Sequence, residues 1–534
     1  MLTSLKLENV RLFQGAEWQF KLAPLTILCG TNSAGKSTVF RTIGLLSQSL
    51  TMDGSKIGEL RFVGNRVDLG NHATFISNGD TSQNLSIGVE LDYEIASSTV
   101  EFLRTLPHQS PKNNNTTNTK TEPTDASLPS ASDIGPTKCK IAYNFSFGPS
   151  SKGDSRFVLK RLDCNVAVND QSLLSWHVVE DHLLEEKYTT RYHLIMPRRY
   201  FERVGGPKLF EAEQLDADNV KLPAVLLDII PQFVAGKPPK KKQRRHRKGN
   251  VALQEPERDR WNLMPLPPTI AAINSHFRHA IHNAQYVGPL RAAAKRYYLA
   301  DTDNAQGMDT TGAFSPHVLK DQKDNEIFCS VPGGATQEST LLRLLSIWLR
   351  YMRTGKFNET ADSSDLDDIK VDATKGVLVE LAIRGPQGTY PLIDSGFGYS
   401  QLLPILLKGL LAEPDSILLI EQPELHLHPA VQVRLAEFLV AMMRDGQQVI
   451  IETHSEHLVN AVRVLAAEDD TGEIAAKSAI FFIDGDRSPP RLHDLSIQPD
   501  GTIPNWPSNF FGEAASLTGR LLKAQRKVRE RGKR

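Results

Sequence analysis

The sequence predicts an α/β fold in which one head is assembled from both ends of the chain around an inserted, mixed β/α lobe. Three observations predict it. Near the N-terminus the hydrophobic run LTILC leads into GTNSAGKST and then into a segment of helical period. Far downstream, ILLI ends in an acidic residue and QQVIIE ends in Thr453-His454-Ser455. Aliphatic runs with polar ends are what buried parallel strands look like when they deliver side chains to their C-terminal edge. From residue 376 to about 485, strand and helix signals alternate, as a parallel sheet requires.

Composition narrows the class. The 534 residues are too many for one compact domain. An apolar share of 40% and a charged share of 23% exclude wholesale disorder. No apolar run reaches the roughly 18 residues of a membrane helix, and the opening MLTSLKLENVRLF has no signal-peptide core. Cys29, Cys139, Cys164 and Cys329 lack metal-like spacing and are too few for a disulfide scaffold. A cytoplasmic, reduced setting without membrane contact is expected.

Lys+Arg and Asp+Glu both count 62, so bulk charge marks neither a nucleic-acid binder nor a membrane-surface protein. The distribution is uneven. Residues 237–248 (KPPKKKQRRHRK) and 520–534 (RLLKAQRKVRERGKR) each hold eight basic residues, with a single acid between them. The remainder carries 46 basic against 61 acidic residues, a balance of −15. Such blocks are solvated arms or sequence-tolerant, salt-sensitive DNA or RNA contacts.

In chain order, residues 1–28 read as two strands with a turn near Gln14-Gly15. Val39, Phe40, Ile43 and Leu46 give 37–50 a helical period. Residues 85–94 alternate as a strand. Residues 105–137, polar and poor in large hydrophobes, read as disordered. Residues 139–180 are β-patterned, 208–283 mixed and mostly helical, 338–353 a helix, and 359–368 an acidic loop. The absence of heptads argues against a coiled-coil arm. The expected division is 1–98 (N-terminal part of the head), 99–284 (inserted lobe, with a basic loop at 237–250), 285–495 (C-terminal part of the head) and 496–534 (small C-terminal segment).

The pattern G-x4-G-K-[ST] at 30–37 has the flanking strand and helix that give it meaning. Gly30 and Gly35 let the backbone wrap a polyphosphate. The amides around Asn32, Ser33, Ala34, Gly35, Lys36, Ser37 and Thr38 face its charge. Lys36 reaches the β- and γ-phosphates, and Ser37 holds Mg²⁺. In SILLIEQPELHLHP, Glu421 ends the strand and Pro429 opens a helix. The stretch DSGFGYSQLLPILL, about twenty residues earlier, is a Gly-rich turn into a helix.

This ordered set resembles the ATP-binding-cassette type of head found in SMC-like and RecF-like ATPases. More closely, it is similar to the prokaryotic AAA-labelled ATPases related to the overcoming-lysogenisation-defect (OLD) group. YVGPLRAAAKRYY (286–298), EQPELHLHP, ETHSEH and DGTIPNWPSNFF (500–511) carry the resemblance. The last is similar to a C-terminal domain of unknown function found in one branch of these ATPases. The resemblance covers about 1–95 and 285–515.

It implies a P-loop NTPase with an ABC-type head and with ATP and Mg²⁺ as cofactors. Gly30, Gly35, Lys36 and Ser37 form the phosphate loop. Glu421 takes the Walker B position on Mg²⁺, and His454 the switch position that senses the γ-phosphate. Ser395, Gly396, Gly398, Ser400 and Gln401 resemble a signature motif capping ATP on a partner subunit, with either serine as the phosphate contact. Asp68-Leu69-Gly70 resembles part of the loop linking nucleotide to the inserted lobe. Such heads form homodimers or higher assemblies.

The usual Asp-Glu ending is replaced by Glu421-Gln422. Glutamine orients water but accepts no proton, and Glu424 is the alternative base. Slow turnover and a long-lived ATP-bound dimer are expected. The resemblance implies anti-phage or foreign-DNA defence with a separate effector such as a nuclease. A RecF-like DNA-repair ATPase and an ATP-binding sensor or scaffold with little hydrolysis are the alternatives.

Other features have plainer readings. His426 and His428 form an H-x-H pair without a third metal ligand. Asp484 and Asp486 evoke a nuclease D-x-D, but a surface turn is favoured. Tyr286, Arg291 and Arg296 face DNA or nucleotide, or pack and cap. Trp506, Phe510 and Phe511 read as a docking cluster. Cys29 reads as a small buried hydrophobe. No G-x-S-x-G elbow is present.

Overall fold

The computed structural model describes the chain apart from residues 16–17, 51–57, 105–135, 151–155, 181–191, 206–212, 227, 236–262, 300–309, 314, 358–368, 375–377, 386–387, 395–396, 486–489, 508–516 and 526–534. The expected disordered stretch (all but its last two residues), the first basic arm and the acidic loop lie outside the described residues. So do the last nine residues of the second arm, whose first part closes an exposed helix at 517–525.

Six strands form the sheet that organises the head: β1 (Leu25–Gly30), β2 (Gln285–Val287), β3 (Ile417–Glu421), β4 (Gln448–Glu452), β5 (Ser478–Asp484) and β6 (Arg491–Leu495). Their order is β2-β3-β4-β1-β5-β6. The first five are parallel and β6 is antiparallel at the edge. The strands are aliphatic along their length because both faces are covered. Leu28, Leu419, Ile450 and Phe481 enter one core, and Ile27, Leu418, Ile451 and Phe482 enter the other.

The helices that flank this sheet include α1 (Lys36–Ser49), α2 (Pro268–His282), α3 (Leu341–Thr354), α4 (Phe397–Leu411), α5 (Pro429–Arg444) and α6 (Glu456–Glu468). Helices α3 to α6 cover one face of the sheet, and α1 and α2 cover the other. Pro429 opens α5 as the sequence predicts, since its missing N–H costs nothing at a helix start. Leu435, Phe438, Leu439, Met442 and Met443 form the buried face of α5. The longest described helix is α5, with 16 residues, so no coiled-coil arm is present among the described residues.

An antiparallel sheet of 11 strands packs over α1 and α2. Leu2–Glu8 pairs with Trp18–Lys21 on one side and Leu85–Ile95 on the other, and Leu85–Ile95 leads on through the strands beginning at Thr137, Phe157, Gln171 and Tyr192, each paired with the next. Trp18–Lys21 adds a strand to the two expected in 1–28. The mostly helical expectation for 208–283 is corrected. That stretch contributes the strands Asn219–Leu226, Pro231–Ala235 and Leu263–Pro265 before α2 begins. Val220, Leu222, Ala224 and Leu226 are buried with period two, which a sheet satisfies and a helix does not. Pro223 masks the pattern, because proline argues against an inner strand.

Gln448, buried at the start of β4, joins the two sheets. Its Nε2 donates to the carbonyls of Leu2 (2.6 Å) and Ala23 (3.2 Å), and its Oε1 accepts from the Leu2 amide (2.9 Å).

Candidate active site

The loop expected to hold phosphate, residues 30–38, follows β1 at the C-terminal edge of the parallel sheet. Gly30 has φ 154°, and a Cβ there would collide with the carbonyl oxygen of Ile483 on β5. Gly35 has φ 92° and would place a Cβ 3.1 Å from the Phe13 ring. Both positions therefore need glycine. Asn32 and Ser33 are exposed at the loop tip, Ser33 with φ 59°. Ala34 packs against Gly485, and the Thr38 amide donates to the Gly35 carbonyl at 2.9 Å.

Lys36 is buried, and its Nζ donates to the carbonyls of Gly30 (3.1 Å) and Thr31 (2.7 Å). Burial lowers its pKa, against the opposing charge of Glu452. The Ser37 hydroxyl donates to Glu452 Oε1 at 3.1 Å.

Glu421 and Glu452 are register partners at the ends of β3 and β4. Both are almost wholly buried, at 2% and 3% exposure. Tyr286 on β2 donates its hydroxyl to Glu421 Oε1 at 2.5 Å. Burial first, then the neighbouring Glu452 charge, pushes the Glu421 carboxyl up to about 7. Burial also raises Glu452, opposed by Ser37, Lys36 and Arg41. Glu452 Oε2 has no hydrogen-bond partner among the described residues.

The residues after β3 form a tight turn. Gln422 has φ 45°, a sparsely populated region for a side-chain-bearing residue. It is held there because its amide donates to the Glu452 carbonyl at 2.8 Å. Glu424 accepts from the Thr453 hydroxyl (2.8 Å) on one oxygen and from the His454 amide (2.6 Å) on the other. Both of its oxygens are thus engaged in holding the loop after β4. His454 stands exposed on that loop, its pKa lowered by partial desolvation and then by the Lys36 charge.

Tyr286 and Arg291 pack into the site. Arg291 is buried and donates to the carbonyls of Glu421 (2.9 Å) and Gln422 (3.2 Å), while burial brings its pKa down to about 10. Arg296 pairs instead with Asp394 on the surface.

Of the signature-like residues, Ser395 and Gly396 lie outside the described residues. Gly398, Ser400 and Gln401 sit in the first turn of α4. Ser400 and Gln401 are buried, and Gly398 approaches the His426 carbonyl and Leu427. Asp68 accepts from the Gly70 amide at 3.0 Å within its own turn.

The surface-turn expectation for Asp484 is corrected. It ends β5 in the core, because β5 runs beside β1, and the following Gly485 amide donates to Thr31 Oγ1 at 3.1 Å. Asp486 lies outside the described residues. His428 Nδ1 accepts from the Ala430 amide at 3.2 Å and caps α5. No group of three metal-ligating side chains occurs among the described residues. Trp506 docks against α6, with the Arg463 guanidinium 4.8 Å from its ring, while Phe510 and Phe511 lie outside the described residues. Cys29 is buried in β1, and burial raises its thiol pKa.

Sequence reasoning missed Glu452 and Arg41. The signal for Glu452 was present: VIIE repeats the aliphatic-then-acid pattern of LLIE. Arg41, one helical turn beyond Ser37, carried no motif.

Residues 352–459 match the family described as AAA ATPase domain. The Old nuclease of Escherichia phage P2 is 37% identical over 87 residues. Part of this chain is thus similar to AAA ATPase domains, and a short stretch is similar to an OLD protein. The family match spans β3, β4 and the residues from Glu421 to His454, while the phosphate loop lies outside it. The phage match covers 15% of this chain and 14% of that nuclease, about one seventh of the relative's length.

Among solved structures, an SMC head bound to the C-winged helix domain of ScpA aligns at TM-score 0.38 and 10% identity, over 93% of this chain and 98% of that one. The SMC head domain from Thermotoga maritima aligns at 0.31 and 10%, over 93% and 99%. Alignments this loose carry no argument. The fold rests on the strand order and on the loop between β1 and α1. No described helix is long and apolar enough to cross a membrane.

An ATPase domain implies a nucleotide. The glycine cradle at 30 and 35 fits a polyphosphate, and the oxygen donors of Ser37, Glu421 and Glu452 fit a hard cation such as Mg²⁺.

Proposed function

We propose that this chain binds Mg-ATP and hydrolyses it slowly, and that ATP closes two copies into a switch. The switch would serve prokaryotic defence against phage or foreign DNA, with a separate effector such as a nuclease. One observation carries the ATP reading. Lys36 and Ser37 from the N-terminal end, and Glu421 and Glu452 from the C-terminal end, meet in one buried cluster.

In this reading Lys36 releases its two loop carbonyls and takes the β- and γ-phosphate oxygens. The loop amides and the start of α1 bind the remaining charge. Ser37 and Glu421 hold Mg²⁺, which neutralises charge on the phosphates when bound. His454 senses the γ-phosphate. Gly398, Ser400 and Gln401, with Ser395 and Gly396, cap ATP on the second copy. The short likeness to the phage nuclease is compatible with a nuclease as the effector.

Slow turnover follows from the turn after β3. Gln422 cannot accept a proton, and both oxygens of Glu424 are engaged. A steady-state rate of tens per second, lost in Glu424→Gln but kept in Gln422→Ala, would refute slow turnover and make Glu424 the base. The same geometry favours a second reading, an ATP-gated scaffold that hardly hydrolyses. Hydrolysis and solution mass with ATP, measured for wild type and Lys36→Ala with and without DNA, separate the readings. Turnover lost in the variant, with an ATP-promoted dimer, supports the switch. Tight binding without turnover supports the scaffold, and DNA-stimulated turnover supports a repair role.

A further inference from the structure

We propose that Glu452 is a second carboxylate for the divalent cation, sharing it with Glu421 and Ser37. The inference rests on the Mg-ATP reading above and deepens it.

Three observations carry it. Glu421 and Glu452 are register partners on adjacent parallel strands, so their side chains leave the same edge of the sheet side by side. The phosphate-loop hydroxyl of Ser37 donates to Glu452, which is where a cation held by Ser37 must be met by an acid. Glu452 is 3% exposed, and its Oε2 has no hydrogen-bond partner among the described residues.

Two carboxylates buried side by side are costly unless cations or donors answer them. The described cations answer only in part. The Lys36 ammonium is engaged by two backbone carbonyls. Arg41 acts on both acids through its charge, and no hydrogen bond joins it to either. A divalent ion bound by hard oxygen donors supplies what is missing. The competing explanation is that Glu452 merely orients Ser37, and the two make different predictions about cation dependence.

The experiment uses the full chain and a fluorescent ATP analogue, with Mg²⁺ titrated at fixed nucleotide. Free Mn²⁺ is counted in parallel by electron paramagnetic resonance. Glu452→Gln keeps the shape and a hydrogen-bond acceptor for Ser37 but removes the charge. The expected result is a rise of about tenfold or more in the Mg²⁺ concentration for half-maximal binding, with a matching loss of Mn²⁺ affinity. Nucleotide affinity in EDTA should not fall, because without the cation the Glu452 charge repels the phosphates.

Wild-type Mg²⁺ and Mn²⁺ dependence in Glu452→Gln overturns the proposal while leaving the ATP reading intact. Absence of nucleotide binding by the wild type overturns both. Should Glu452→Gln melt early, Glu452→Asp, which keeps the charge but withdraws it from the site, is expected to show a smaller shift in the same direction. An unchanged midpoint there again overturns the proposal.

Discussion

The two sheets use polar side chains in opposite ways. In the antiparallel sheet and its helix, polar groups pair one with another at separate places, some in the core and some on the surface. Tyr143 donates to Asn274 at 2.8 Å, Lys160 meets Glu180 at 2.7 Å, and Arg161 meets Asp163 at 2.6 Å. In the parallel sheet the strand interiors are aliphatic and the chemistry collects at one edge. There Lys36, Ser37, Glu421, Glu452 and the Gln422 turn converge. Glu452 Oε2 and two nitrogens of Arg291 remain buried without partners among the described residues. Partner-poor charge in one small volume is poorly explained as a stability device. The antiparallel sheet should therefore answer to stability measurements, and the parallel edge to ligands.

The largest stability effect is expected far from that edge. Phe277 on α2 is fully buried, 4.3 Å from Tyr143 and 5.7 Å from Phe145 between ring centroids. Phe277→Ala should cost about 3–5 kcal/mol in denaturant unfolding. The folded fraction should keep wild-type nucleotide affinity, and a large affinity loss would break the separation of the two regions.

A slightly smaller effect should come from the ligand edge and depend on pH. With the Glu421 carboxyl raised to about 7, the metal-free native state keeps a proton that the unfolded chain has already released. Stability should therefore fall as pH rises from the ordinary glutamate range through about 7, by about 3 kcal/mol in all. Urea unfolding in EDTA at several pH values checks this. Glu421→Gln should lessen the slope without abolishing it, since burial also raises Glu424 and Glu452, and a wild-type profile that is already flat contradicts the assignment.

The smallest effect tests the joint. Gln448→Ala leaves the Leu2 amide and two carbonyls without their partner, costing about 2 kcal/mol. The loss should appear as earlier unfolding, with Mg-ATP affinity in the folded state unchanged.

The parallel edge was far more legible than the antiparallel sheet. The phosphate loop could be read because its requirement is local: Gly30 must avoid Ile483, and a short glycine pattern records that need. Glu421 was visible because its aliphatic run ends in an acid that opens the EQPELHLHP stretch. Glu452 was hidden by the Thr453-His454-Ser455 motif beside it, although its own strand carries the same pattern. Asp484 was misread because its meaning depends on β5 lying beside β1, a pairing of residues more than 450 positions apart. The strands of 208–283 were missed for the same kind of reason. Pro223 obscures their alternation, and their partners lie in a sheet built from distant segments.

The central claim is that the two ends of the chain build one Mg-ATP site. The most direct measurement is the Mg-ATP-induced thermal shift of the full chain, compared among wild type, Lys36→Ala and Glu421→Gln. At a hundredfold excess over Kd, binding should stabilise the wild type by about 2.7 kcal/mol. The account predicts that each variant, one at either end of the sequence, loses that shift while remaining folded. A shift lost in Lys36→Ala but kept whole in Glu421→Gln would contradict it, because the C-terminal acids would then not belong to the nucleotide site.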